Sequence, residues 1–311
     1  MKRVIGLSLL MVLFPFVLSM GCGSVKSAYR ASASAAKSVI ELVIPGKEDG
    51  LRKRILVASM INRAGIKEEE ARRITGSFVE LLRENTDFLV NLLYDVDTPD
   101  SDLLSPKHGI VIDPELLRKA ELMGMDMLIT ITLDPFDIRT KKSGIWPFRR
   151  MKKQIDISIS MNLVDVTYGT LILAGTKTTR IKADYNAAEG EDNRWDVNYE
   201  VLDEELDPIL DDYAYEISDS LDSHLWTGKI MLLGGRTPII NGGKDIGVTE
   251  GSIFDVFDKG EPIRSLEGKE YFYLGLNVAE VRADEVMESY TIVAPVNDER
   301  LIDGQLVRLK R

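Results

Sequence analysis

Between residues 155 and 163 the chain alternates strictly. Ile155, Ile157, Ile159, Met161 and Leu163 are interleaved with Asp156, Ser158, Ser160 and Asn162. Successive strand residues point to opposite faces, so this stretch fits only a strand with one face in a core and the other in solvent. Val164-Asp165-Val166 leads into a turn at Thr167-Tyr168-Gly169, and Leu171 to Ile181 returns as the partner strand of a hairpin. The neighbouring segments carry the period of a helix instead. From Lys67 to Glu84, Ala71, Ile74, Phe78, Leu81 and Leu82 recur on one face, and Glu68, Glu69 and Glu70 suit the positive end of the helix dipole. A longer helix is expected from about Glu204 to Trp226, with a stripe of Leu206, Leu210, Tyr213, Ile217, Leu221 and Leu225. Asp211, Asp212, Glu216, Asp219 and Asp222 lie off that stripe.

Three further apolar runs read as buried strands: Ile55 to Ala58, Phe88 to Tyr94 and Met127 to Leu133. Between the last two, Asp113-Pro114 has the pattern of an N-cap followed by proline at the first helical position, and Gly124 closes that short helix. The chain from 51 to 227 is therefore expected to be an α/β domain, a mixed sheet with helices. From Gly228 to Arg311 the pattern changes to short strands, many glycines and no amphipathic helix. Lys229 to Leu233, Ile239-Ile240, Ser252 to Phe257, Leu274 to Arg282, Tyr290 to Pro295 and Leu306 to Leu309 are the strand candidates. Their number and spacing suggest a small closed β-barrel, a second domain over 228–311.

The amino terminus is a leader. Lys2 and Arg3 precede an apolar run from Val4 to Leu18 that Pro15 interrupts, and Leu18-Ser19-Met20-Gly21-Cys22 follows. A spanning helix needs about 20 apolar residues, so residues 1–21 read as an export signal to be removed. The stretch resembles a bacterial lipoprotein signal. That resemblance implies cleavage between Gly21 and Cys22, with diacylglycerol on Cys22. The alternative reading is ordinary export with cleavage after the small pair Ser19 and Gly21, leaving a free thiol. Cys22 is the only cysteine of the chain, and an unpaired thiol in an exported protein is a liability that lipidation removes. Residues 22–50, rich in Ala and Ser up to Ser38, fit a tether. By resemblance to enteric-type sorting, Gly23 after the cysteine implies the outer membrane, with the protein facing the periplasm.

Two resemblances bear on the rest. The order strand, helix, strand, helix, strand, hairpin, long helix is similar to the curli secretion channel lipoproteins (CsgG-like) and to the TolB amino-terminal domain. It is carried by Arg54-Ile55-Leu56-Val57, by Gly124-Met125-Asp126-Met127-Leu128-Ile129 and by Leu163 to Leu171. The last segment resembles the carboxy-terminal barrel of the flagellar assembly T protein, of SH3-like type. That likeness rests on Gly247-Val248-Thr249-Glu250-Gly251-Ser252-Ile253-Phe254-Asp255-Val256 and on Leu301 to Arg308. Both imply a place in an envelope assembly.

Composition excludes several functions. There are 39 basic against 50 acidic residues, a net charge of −11, which argues against a nucleic-acid partner. With Cys22 lipidated, disulfides, thiolate metal sites and a cysteine nucleophile are gone. His108 and His224 stand far apart with no ligand spacing. Gly242-Gly243-Lys244 lacks the remaining residues of a phosphate loop and reads as a turn. The acidic group Glu189, Glu191, Asp192 and Asp196 lacks EF-hand spacing and reads as a solvated loop. Met123, Met125 and Met127 read as core filler. No cofactor or metal is expected, and no enzyme.

One surface feature stands out in so acidic a chain. Arg139, Lys141, Lys142, Arg149, Arg150, Lys152 and Lys153 flank Ile145-Trp146-Pro147-Phe148. Two readings stand side by side: a solvated loop whose charges protect a sheet edge, or an aromatic-tipped basic loop that touches an anionic membrane or an acidic partner. Spanning hairpins need about 9–11 residues per strand with an apolar outward face. Residues 139–154 and 182–203 carry too many charges for that. The expected function is a non-enzymatic outer-membrane lipoprotein. It is held to the membrane by its anchor and bound to protein partners, self-association among them, as an adaptor or ring-type subunit of a secretion or appendage assembly. The alternative is an oligomeric CsgG-type secretion channel.

Overall fold

The alternating stretch is the spine of a mixed sheet in the computed structural model, which describes residues 50–94, 114–143, 150–183, 199–260, 263–264, 270–271 and 274–310. Strand β1 (Arg54–Ala58) is buried along its whole length and runs parallel to β3 (Leu89–Leu93) on one side and to β4 (Met127–Leu133) on the other. β4 pairs antiparallel with β6 (Arg150–Asp165), from Met127 opposite Asp165 to Leu133 opposite Ile159. β5 (Asp137–Ser143) and β7 (Thr170–Ala183) flank β6, and the short β2 (Ile61–Asn62) extends β4. Helices α1 (Glu68–Asn85) and α3 (Tyr199–Asp222) cover one face, where Phe78, Leu82, Leu206, Leu210 and Tyr213 pack on Ile55, Ile129, Ile131, Ile157 and Ile159. On the other face α2 (Pro114–Leu122) sets Leu116 and Ala120 against Leu56, Leu128 and Val164. The Tyr213 hydroxyl lies 2.9 Å from the Gly175 carbonyl oxygen and 3.0 Å from that of Ile159, satisfying a polar tip inside the apolar layer.

Several expectations need correction. The long helix begins at Tyr199 because Leu202, fully buried, extends the stripe one turn upstream of Leu206. It ends at Asp222, so Trp226 is not helical. Its ring enters the second core and meets Phe254 edge-on at 6.3 Å. The polar face of β6 is not wholly in solvent either. Asp156 and Asn162 are buried, the first gripped by Arg180 (Nε to Oδ1, 2.5 Å) and the second donating to Thr130 Oγ1 at 3.3 Å. The Arg180 hydrogen bonds hold the Asp156 carboxyl below its usual range. Part of the stretch read as a basic loop is paired strand, since Asp137–Ser143 pairs with Asp156–Arg150. Charge-rich sequence hid the strand, because its hydrogen bonds come from the backbone and not from apolar alternation.

Residues Glu48–Arg311 form one compact unit holding two separate sheets and their cores. The second sheet closes into a barrel in the order β10 (Ile253–Lys259), β13 (Leu274–Val286), β14 (Thr291–Pro295), β9 (Thr237–Ile240), β8 (Gly228–Leu233), β15 (Leu306–Leu309). Ile230, Ile240, Phe254, Val256, Val281, Val293 and Val307 fill it, and Trp226 and Leu51 pack against them. A two-stranded pair, β11 (Ile263–Arg264) with β12 (Glu270–Tyr271), was not anticipated and lies outside the barrel. After Gly242-Gly243 comes a single 3-10 turn, Lys244–Ile246, where a plain turn was expected.

The two glycines are there for space. A Cβ on Gly243 would stand 2.4 Å from the Glu288 carbonyl oxygen, and one on Gly242 would stand 2.7 Å from the Ile246 side chain. Backbone cannot yield as a side-chain tip can. Gly243→Ala is therefore expected to cost about 1–3 kcal/mol, the usual scale of overpacking. The check is a lower melting temperature with the far-ultraviolet spectrum retained.

Candidate functional site

The site begins with Arg54, the first residue of β1. Its side chain is 8% exposed and reaches from the α/β sheet into the barrel. Nε donates to Asp245 Oδ2 at 2.7 Å and Nη2 to Asp245 Oδ1 at 2.8 Å, a two-pronged pair of the kind guanidinium geometry favours. Nη1 also donates to the Asn241 carbonyl, and Nη2 to that of Ser289 at 3.0 Å. Asp245, Asn241 and Ser289 all belong to the barrel sequence, so a single side chain ties both cores together.

Behind Arg54 lies a chain of buried polar groups. The Arg54 backbone N–H donates to Asp126 Oδ2 at 2.7 Å, and the Asp126 N–H returns a bond to the Arg54 carbonyl at 2.9 Å. The Val166 N–H donates to the Asp126 carbonyl at 2.9 Å. Asp165, whose side chain is 3% exposed, accepts from the Tyr168 N–H at 2.9 Å and pairs with His224 Nε2 at 2.8 Å. From the barrel, Arg308 donates to Thr227 Oγ1 at 3.0 Å and to the Tyr168 hydroxyl at 3.4 Å. Desolvation raises the Asp126 carboxyl to about 7. The Arg54 N–H and charge oppose the rise, Asp165 adds to it and Lys53 opposes it.

Beside this polar chain is an open groove of about 450 Å³. Leu122, Met123 and Met125 line it from the end of α2, Leu89 from β3, and Met231 and Ile239 from the barrel. Met123 is 44% exposed, against the expectation that Met123, Met125 and Met127 are all core filler. Helical and strand periods do not apply to the corner between α2 and β4 where it sits. The rim is apolar and includes three methionines, side chains that adapt to the shape of what they touch. Arg54 is already engaged by a carboxylate and by carbonyls, which leaves it unsuited to holding an anion. Among the described residues no group of three or more His, Cys, Asp or Glu is placed to hold a metal ion, and no helix is long and apolar enough to cross a membrane.

The residues singled out from sequence lie elsewhere. Gly21, Cys22, Trp146, Phe148, Arg149 and the acidic loop 189–196 fall outside the described residues, as does His108. Arg139 is exposed on β5 and bonds to its neighbour Asp137. Lys141 stands opposite Lys152, Lys142 opposite Met151, and Arg150 opposite Ser143. Sequence reasoning missed the junction. Its only signal was the pair of carboxylates, Asp126 and Asp165, standing next to apolar strands.

No family model matches the chain, and no curated relative matches it. Among solved structures it is similar to a PelC dodecamer from Paraburkholderia phytofirmans (12% identity, TM-score 0.29, covering 55% of this chain and 87% of that one). It is also similar to the lipoprotein GNA1162 from Neisseria meningitidis (15%, 0.29, 52% and 99%). A third match is the LpoB carboxy-terminal domain from Escherichia coli (17%, 0.25, 42% and 84%). Scores this low fix neither family nor function.

Arg54→Leu is expected to lower stability by about 3–5 kcal/mol, because it strands the Asp245 carboxylate and two barrel carbonyls. Double replacement with Asp245→Leu should recover part of the loss. Urea unfolding of the two variants measures both effects, and no recovery would mean the pair is not coupled.

Proposed function

We propose that the chain is a non-enzymatic lipoprotein of the outer membrane, facing the periplasm, anchored through Cys22 and serving as an adaptor or ring-type subunit of an envelope secretion or surface-appendage assembly. The observation that carries this reading is the basic-then-apolar leader that ends at the only cysteine of the chain. Three features of the folded part are consistent with it. The apolar, methionine-lined groove suits a protein partner. The buried polar groups of the junction hydrogen-bond to one another and to backbone, as a structural seam does. The β5–β6 ribbon gathers cations in an otherwise acidic protein. In this reading 51–227 and 228–311 are its two domains, the second of SH3-like type.

The alternative is a secretion channel of the curli type. One observation favours it: 137–143 pairs with 150–156, so a strand ribbon exists where such channels insert a hairpin. Opposed to it is the charge content of residues 139–154 and 182–203, since a spanning strand needs an apolar outward face and each lipid-facing cation near the midplane costs about 2–4 kcal/mol.

Cys22→Ser is expected to yield a soluble periplasmic form. Continued sedimentation with the outer membrane would defeat the anchor reading and favour the channel. Replacing Trp146 and Phe148 by Ser in an unlipidated form should weaken binding to anionic liposomes. Unchanged binding would remove the membrane role of the ribbon and leave a protein partner.

A further inference from the structure

We propose that Met123 and Met231 form an oxidation site on the groove beside the junction. A peroxide delivers one oxygen atom to each sulfur, and the two sulfoxides turn apolar walls of the groove polar.

Both residues line the open groove, Met123 from just past the end of α2 and Met231 from β8 of the barrel. The Met123 N–H still donates to the Lys119 carbonyl at 3.0 Å, and Gly124 then turns the chain away with φ of 69°. Met123 is left 44% exposed. On β8, Lys229 and Met231 share one face of the strand, because successive residues alternate, and the fully buried Ile230 between them belongs to the barrel core. Lys229 Nζ pairs with Glu121 Oε1. Met231 and Met123 each stand two residues past one end of that ion pair, which draws them to the same groove. Met231 is 40% exposed.

Oxidants attack a methionine where they can reach its sulfur. Of the methionines whose side chains are described, Met60, Met127 and Met161 are buried in the core of the mixed sheet. Met125 and Met287 are half-buried. The Asn91 amide also donates to the Met125 sulfur at 3.6 Å, engaging a lone pair that would otherwise attack. That leaves Met123 and Met231 as the exposed ones. No thiol competes among residues 50–311, since the only cysteine of the chain is Cys22. In the step itself the sulfur lone pair attacks the outer oxygen of a peroxide. The S–O bond forms and the O–O bond breaks. The proton of the transferred oxygen passes to the departing one, which leaves as water or an alcohol. Sulfur is oxidised and the peroxide is reduced. Both methionines lie outside the two cores, so the fold survives and the groove alone changes character. Sulfoxide reductases return the thioether, which makes the change reversible.

The test exposes the folded chain to dilute hydrogen peroxide and follows each methionine by peptide mass mapping. Met123 and Met231 should take up oxygen at least about tenfold faster than Met60, Met127 and Met161, which react only when the sheet core opens. Protein oxidised at both sites should keep its far-ultraviolet spectrum and elute earlier from a phenyl-agarose column. Treatment with the two stereospecific methionine sulfoxide reductases should restore the original elution. In the double variant Met123→Leu with Met231→Leu the walls stay apolar, and the same peroxide treatment should leave elution unchanged. Equal rates at the buried methionines overturn the proposal, as does an elution that oxidation does not shift or an equal shift in the double variant. Should that variant not fold, the wild-type rates and elution decide by themselves.

Discussion

Of the ties that make one unit of two sheets, Arg54 is the most densely bonded. A guanidinium that is 8% exposed cannot be lost to water and must be satisfied inside the protein. Here the barrel provides the carboxylate and the carbonyls, and the sheet provides the strand on which the arginine is rigidly held. The cost of burying the pair is offset only if both partners arrive together. Neither sheet can therefore close its side of the junction alone, although each has an apolar core of its own. Trp226 gives the same lesson in apolar form, lying just beyond α3 in sequence yet packing against Phe254 of the barrel.

The junction also explains why the surface beside it is open. Gly124, with φ of 69°, turns the chain out of α2 and back into β4 within a few residues. The turn leaves Met123 on the rim instead of in the core. On the barrel side, Gly243 lets the 3-10 turn approach the β13–β14 turn at Met287 and Glu288 closely enough to deliver Asp245 to Arg54. Close backbone approach on one side and a tight turn on the other leave a groove with apolar walls above a polar floor.

Much of this was legible in the residues. The period-two run of 155–163, the helical stripe from Ala71 to Leu82 and the short glycine-punctuated strands after residue 228 located the elements within a few positions. The strands whose apolar residues face one core were the easiest, because burial and periodicity report the same fact. The misses share a cause. Four of the seven residues of strand β5 are charged, so its backbone pairing to β6 reveals it and an apolar period does not. Met123 sits at a corner where no period applies. Asp156 and Asn162 follow the polar register and are buried all the same, since Arg180 and Thr130 satisfy them across the strands.

The amino-acid sequence by itself determined the basic-then-apolar run before its single cysteine, the acid excess, most of the helices and strands and the change to short strands at about residue 228. Those are local or compositional properties, set by neighbours a few residues apart. Only the tertiary structure decided that Arg54 meets Asp245, 191 positions away, that Asp165 meets His224 and that Asp126 is sealed from water. Burial of a charged group is a property of what the rest of the chain brings to it. No pattern within a window of sequence carries that information, and so the junction became visible only when the fold was.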